Sequence, residues 1–190
     1  GNSPWASLVG DDSNAQVTNA SYVTIRLRSS ILIRQALVRL KQLDAKYDKM
    51  LPSEKAEFDA KNKGTLDCPA CQENYAISIS PPIVSRQVRS GIPSLINVKF
   101  EQLKGKIYLQ NDKGERRELV FFSPPLSSDG EATLFFPRLD AKGNPLLTKE
   151  NKSFSIIFDK KSNGSLANIS IPENTTFDVQ KILIDGNVEF

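Results

Sequence analysis

The hydrophobic pattern of this chain changes period once, near residue 68, and that change limits it to few architectures. Before it, Ile33, Ala36, Leu37, Leu40, Leu43, Tyr47 and Met50 recur at steps of three and four, the spacing of one face of an α-helix. After it, apolar residues alternate in short runs bounded by Gly, Pro and Asn, as half-buried strands do. A chain of this grammar joins a helical segment to an antiparallel sheet.

The helical part has readable ends. Ser29 or Ser30 can accept a backbone N–H bond at the start. Pro52 ends the run because it disfavours helix in the residue before it. Ser53 opens a second helix with Glu54 and Glu57 in its first turn, where the helix dipole favours them, and Gly64 closes it. The spacing predicts a hairpin or bent pair over residues 30–63, its Ile33–Met50 stripe buried against the sheet with Leu40 inside the contact. Arg34, Arg39, Lys41, Lys46 and Lys49 fall mostly off that stripe and read as a solvated face, with Asp44 and Asp48 partly cancelling their field. Tyr22–Arg28 alternates and is rich in β-branched residues, as in a strand or the first turns of a longer helix.

Strands are expected at Tyr75–Ser80, Lys106–Gln110, Arg117–Phe122, Glu131–Arg138, Ser153–Phe158 and Leu166–Ile171. A further pair is expected about the Asp185-Gly186 turn. Residues 92–104 suit a short helix. Asn111–Gly114 and Asp140–Pro145 are turn sequences. Short strands with no long helices between them predict a β-sandwich. The fold class is therefore α+β: an N-terminal amphipathic helical segment, residues 1–67, packed on an antiparallel β-sandwich, residues 68–190. In strand spacing alone the second part resembles the immunoglobulin-like sandwiches of exported proteins, a likeness that transfers no function. Within the strands, Phe121-Phe122 and Phe135-Phe136 should each send one ring into the core and the other outward, against the helices.

The 190 residues include no histidine, which removes the commonest general base, metal ligand and pH switch. The two cysteines stand together as Cys68-Pro69-Ala70-Cys71, the one motif with intrinsic chemistry. Such a pair can form a local disulfide, act as a redox dithiol, or supply half a zinc site. Zinc lacks two further ligands here. Haem attachment lacks the histidine, since Gln72 follows the second cysteine. The βαβ setting of a thioredoxin-like motif is missing. A structural disulfide between Cys68 and Cys71 is the expected state. Glu115, Glu118 and Glu131 are carboxylates flanking strands and read as ordinary surface charges. Asp11, Asp12 and Asn14 lack the glycine and distant glutamate of a calcium loop and read as a solvated turn, with Trp5 and Leu8 as anchors of the lead-in.

Net charge is +3, from 25 basic and 22 acidic residues. That balance argues against nucleic acid as a partner, and no apolar run reaches the length of a membrane span. Gly1 reads as a processed start, an upstream signal segment having been removed, which puts the chain in a secreted, periplasmic or cell-surface location. Sequons at Asn19, Asn151, Asn163, Asn168 and Asn174 read as chance products of Asn- and Ser-rich loops. The expected function is a non-catalytic exported binding, adhesion or assembly module with a protein or cell-surface partner and no cofactor, metal or catalytic residue. The alternatives are a thiol-disulfide redox accessory protein using Cys68 and Cys71, and an intracellular scaffold.

Overall fold

The computed structural model describes residues 23–80, 95–127, 130–159, 161, 171–184 and 187–188. It is a mixed helix and sheet fold with two antiparallel four-stranded sheets. Strand β1 (Thr24–Leu27) leads into helix α1 (Ile31–Asp44), a single 3-10 turn (Tyr47–Lys49), helix α2 (Pro52–Asp67), the one-turn helix α3 (Pro69–Glu73) and strand β2 (Asn74–Ser80). After a 3-10 turn at Leu95–Asn97 and helix α4 (Phe100–Leu103) come β3 (Ile107–Asn111), β4 (Arg116–Glu118), β5 (Phe121–Ser123), β6 (Ala132–Pro137), β7 (Ser153–Phe158) and β8 (Asn174–Asp178). A 3-10 turn at Val179–Ile182 precedes the short antiparallel pair β9 (Leu183–Ile184) and β10 (Asn187–Val188).

The first sheet runs β1-β2-β6-β5 and the second β4-β3-β7-β8. β1 and β2 are antiparallel neighbours, Thr24 opposite Ser80 and Leu27 opposite Ile77. The helices are thus an insertion in the connection between two adjacent strands, so β1, though N-terminal to them, belongs to the first sheet. Side chains alternate across each strand, and β3, β6 and β7 bury every second residue. Ile77, Leu134 and Phe136 of the first sheet and Ile107, Leu109, Phe154 and Ile156 of the second belong to one buried apolar cluster.

That cluster contains no residue of α1 or α2. Leu40 is 58% exposed and Leu43 55%, which overturns the expected burial of the Ile33–Met50 stripe against the sheet. The buried residues of α1 are Arg34 and Val38, one turn apart. The two helices pack antiparallel against each other instead. Lys41 Nζ donates to Asn62 Oδ1 at 3.1 Å, and at the tip Tyr47 donates to Asp59 at 2.7 Å and meets Phe58 edge-on at 5.2 Å between ring centroids. A two-helix contact has room for a narrow seam only; Leu40 and Leu43 stay outside it, while Ile33, Ala36, Leu37, Tyr47 and Met50 are half-buried.

Three further expectations are corrected. Pro52 begins α2 rather than separating it from α1, with Leu51 N donating back to Glu54 Oε2 at 2.7 Å, a proline at the first helical position being tolerated because its missing N–H has no partner there. Gly64 lies inside α2, and the helix closes at Cys68 in the left-handed region (φ 39°, ψ 70°). The expected single strand Arg117–Phe122 is two strands in different sheets. β4 pairs with β3 and β5 with β6, the chain crossing over at Leu119-Val120. Edge strand β8 has no apolar alternation to announce it. Trp5, Leu8, Asp11, Asp12, Asn14, the expected strand residues Leu166–Ser170, the Asp185-Gly186 turn and the sequons at Asn19, Asn163 and Asn168 lie outside the described residues.

Candidate functional site

The Cys68–Cys71 turn is the corner where α2 ends and β2 begins. Its sulfurs lie at disulfide distance and its Cα atoms are 5.3 Å apart, inside the range that a disulfide spans. Cys68 is both the last cap of α2 and the first of α3. Its N–H closes α2 on Gly64 O at 3.0 Å, and its carbonyl accepts from Cys71 N at 2.8 Å. Pro69 starts α3, where its fixed φ suits the first turn. The two cysteines differ in environment. Cys71 is 2% exposed, whereas Cys68 is only partly covered and its neighbours Pro69 and Ala70 are exposed.

Two arginines hold the corner from either side. Arg34, on the buried face of α1, donates from Nη1 to Leu66 O at the end of α2, where the helix dipole and an unpaired carbonyl favour a cation. Burial pulls its pKa below the ordinary guanidinium value, Asp67 opposes that shift, and Arg28 adds to it. Arg138 follows β6 and donates from Nε to Cys71 O at 2.8 Å. Its guanidinium carbon lies 5.0 Å from the ring centroid of Tyr75, within cation–π range. Burial lowers its pKa too, with Tyr75 opposing the shift and Arg34 adding to it. Tyr75 itself is 1% exposed and accepts from Leu147 N at 3.2 Å. Burial raises its pKa, against that hydrogen bond. The corner is therefore a disulfide turn whose Leu66 and Cys71 carbonyls are held by two partly desolvated cations, one of them over the ring of a buried tyrosine.

Sequence reasoning found the cysteines and missed the arginines. Arg34 read as one cation of a solvated face. Arg138 had a usable signal: it continues in phase with Ala132, Leu134 and Phe136, all buried, so the alternation of β6 turns it inward.

The other named candidates scatter. Glu131 pairs with Arg28 at 3.2 Å and Arg26 at 3.9 Å. Glu115 accepts from Asn111 Nδ2 at 2.6 Å at the β3–β4 turn, and Glu118 is an exposed end residue of β4. Among the described residues no three His, Cys, Asp or Glu side chains gather to hold a metal. Phe122 and Phe136 are buried, as alternation requires. Their outward neighbours Phe121 and Phe135 pack on each other, ring centroids 5.5 Å apart, with Phe121 59% exposed. The sequon at Asn151 is closed to a glycan, since Asn151 is 1% exposed and its amide donates to Asp112 at 2.8 Å; Asn174 is exposed.

Among the described residues no helix is long and apolar enough to cross a membrane. No protein-family model matches the chain, and no curated protein matches it. A solved structure described as a novel protein of unknown function from Burkholderia pseudomallei K96243 is 13% identical, with a TM-score of 0.43 over 92% of this chain and 78% of that one.

Proposed function

We propose that this chain is a protein-binding module that works in an oxidising, extracytoplasmic compartment, its two sheets facing each other as a sandwich that presents the helical insertion as an arm. The observation that carries this reading is the unpartnered apolar surface of the arm. Leu40 and Leu43 on α1 and Leu51 at the start of α2 are each more than half exposed, and large exposed apolar residues grouped at a surface mark interaction sites. The Cys68–Cys71 bond at the root of the arm suits an oxidising location, and the pairing of α1 with α2 keeps the apolar surface presented.

A photo-reactive side chain at position 43, introduced in the producing organism, tests this. One discrete cross-linked species, absent when the same group stands at Lys142 in the Asp140–Asn144 turn, is the expected result. Equal or absent cross-linking at both positions overturns the reading.

A further inference from the structure

We infer that the Cys68–Cys71 pair is a thiol–disulfide exchange site, with Cys68 the sulfur that changes partners and Cys71 the buried sulfur it leaves and recaptures. This goes beyond partner binding and stands on separate observations. The first is the asymmetry of the pair: an exchangeable disulfide needs one reachable sulfur and one shielded from competing thiols. Cys68 is partly exposed, beside exposed Leu66, Pro69 and Ala70, while Cys71 is 2% exposed. The second is charge. Breaking the bond by attack at Cys68 leaves a thiolate on Cys71, and nearby guanidinium groups stabilise a thiolate. Arg138 is anchored to the Cys71 carbonyl itself at 2.8 Å, and Arg34 reaches Leu66 O on the other side of the turn. The third is backbone. Cys68 is one of two non-glycine residues with positive φ among those described, a conformation costly for an L-residue, and it sits at the joint between α2 and α3.

The substrate class is a dithiol on an extended polypeptide; exposed Leu66, Pro69 and Ala70 adjoin Cys68, with the carboxylates of exposed Asp67 and Glu73 beside them opposing the two guanidinium groups. A substrate thiolate attacks Cys68 Sγ. The Cys68–Cys71 bond breaks, its electron pair goes to Cys71, and a mixed disulfide forms between Cys68 and the substrate. The second substrate thiolate then attacks the substrate's own sulfur in that mixed disulfide and expels Cys68. Two electrons pass from substrate to protein. The substrate leaves as a disulfide, and Cys68 and Cys71 remain as a dithiol, which the reverse exchange with another disulfide reoxidises. Arg138 is a positioning residue for the Cys71 thiolate.

The test equilibrates the wild-type chain with glutathione buffers from fully oxidised to fully reduced and counts free thiols by mass after acid quenching. The expected result is a reversible midpoint within that series, and in the reduced protein alkylation of Cys68 by iodoacetamide at least about tenfold faster than of Cys71. With oxidised glutathione, Cys71→Ser should collect one glutathione at Cys68, whereas Cys68→Ser should collect none until urea is added. The pH midpoint for alkylating Cys71 should rise in Arg138→Met and return in Arg138→Lys. A pair that stays oxidised across the whole series, or two cysteines that alkylate at equal rates, overturns the site. Should either serine variant fail to fold by circular dichroism, the wild-type measurements decide. A pH profile unmoved in Arg138→Met overturns the role of Arg138 alone.

Discussion

Two turn residues show how much local structure one side chain can organise here. Asn111 is 3% exposed. Its Oδ1 accepts from Lys113 N and Glu115 N, each at 3.0 Å, and its Nδ2 donates to Leu146 O at 2.9 Å. One amide thus closes the β3–β4 turn and ties it to a distant loop. Asn111→Ala leaves two backbone donors and a buried carbonyl without these partners, and should cost about 2–3 kcal/mol, read from urea denaturation. Asp140 does the same for its own turn, its carboxylate accepting from Lys142 N at 2.8 Å, Asn144 N at 2.8 Å and Asn144 Nδ2 at 3.0 Å. The Asn144 side-chain bond above all, with the Asn144 backbone bond next, holds its pKa down at about 2 against an ordinary 3.8. A depressed folded-state value means that the ionised carboxylate stabilises the fold. Its contribution is complete above the ordinary value and is lost as pH falls through about 2. Carboxyl titration by NMR should find Asp140 among the last side chains to protonate, and Asp140→Ala should remove that step from the acid-unfolding curve. A titration near the ordinary value would break the link between this turn geometry and its acid dependence.

At the scale of elements, the helical arm separates what a pattern says from what a contact does. The three-and-four spacing from Ile33 to Met50 correctly announces a helix, but the partner of its apolar stripe is not written in it. Spacing records amphipathicity, whereas burial depends on what the rest of the chain supplies. Here α2 meets α1 along the line of Arg34 and Lys41, with Tyr47 on Phe58 at the tip, and leaves Leu40 and Leu43 outside. Leu40→Asp should therefore leave stability within about 0.5 kcal/mol. Val38→Asp, at a position 6% exposed, should cost about 2–4 kcal/mol by burying a charge in the seam between the helices. Thermal melts of the two variants check this; a large loss in Leu40→Asp would show that the leucine is covered after all. The same distinction explains what was legible elsewhere. β2, β3, β6 and β7 are central strands, apolar enough to be plain in the sequence; β3, β6 and β7 bury every second residue and β2 is buried throughout Tyr75–Ile79. β4 and β5 merge on paper because nothing marks the crossover except two consecutive outward residues, Val120 and Phe121. β8 is a polar edge, where half-burial no longer imposes alternation. Of the corner site, the cysteine spacing is legible, but the two arginines come from elements 32 residues or more away in sequence from the carbonyls they hold, and such pairings require the fold.

For the whole molecule, the decisive fact is that both sheets contribute to one buried cluster. Phe136 of β6 is 0% exposed, and Phe154 and Ile156 of β7 are 1% and 0% exposed, so inward side chains from either sheet are excluded from water by the other elements of that cluster. Loss of a ring in such a shared core forfeits its transfer free energy and leaves a cavity that the packed surroundings fill only in part. Phe136→Ala should then cost about 3–5 kcal/mol, which for a chain of this size lowers the melting temperature on the order of 10 °C. Because the core is shared, the loss should be felt equally by strands that never touch residue 136. Amide hydrogen exchange in β3 and β7 should accelerate by the same free energy as in β2 and β6, and unfolding should stay a single transition. The arm supplies the internal control. It contributes nothing to the cluster and is tied to the sheets at its roots, by Ser29 N to Ala76 O at 3.2 Å and by the Cys71–Arg138 bond. Amides near its tip, around Leu43 to Leu51, should open locally and exchange at rates independent of the Phe136 substitution. Protection in β3 and β7 that survives Phe136→Ala unchanged would mean that the two sheets are stabilised separately, and the single-core account would fail.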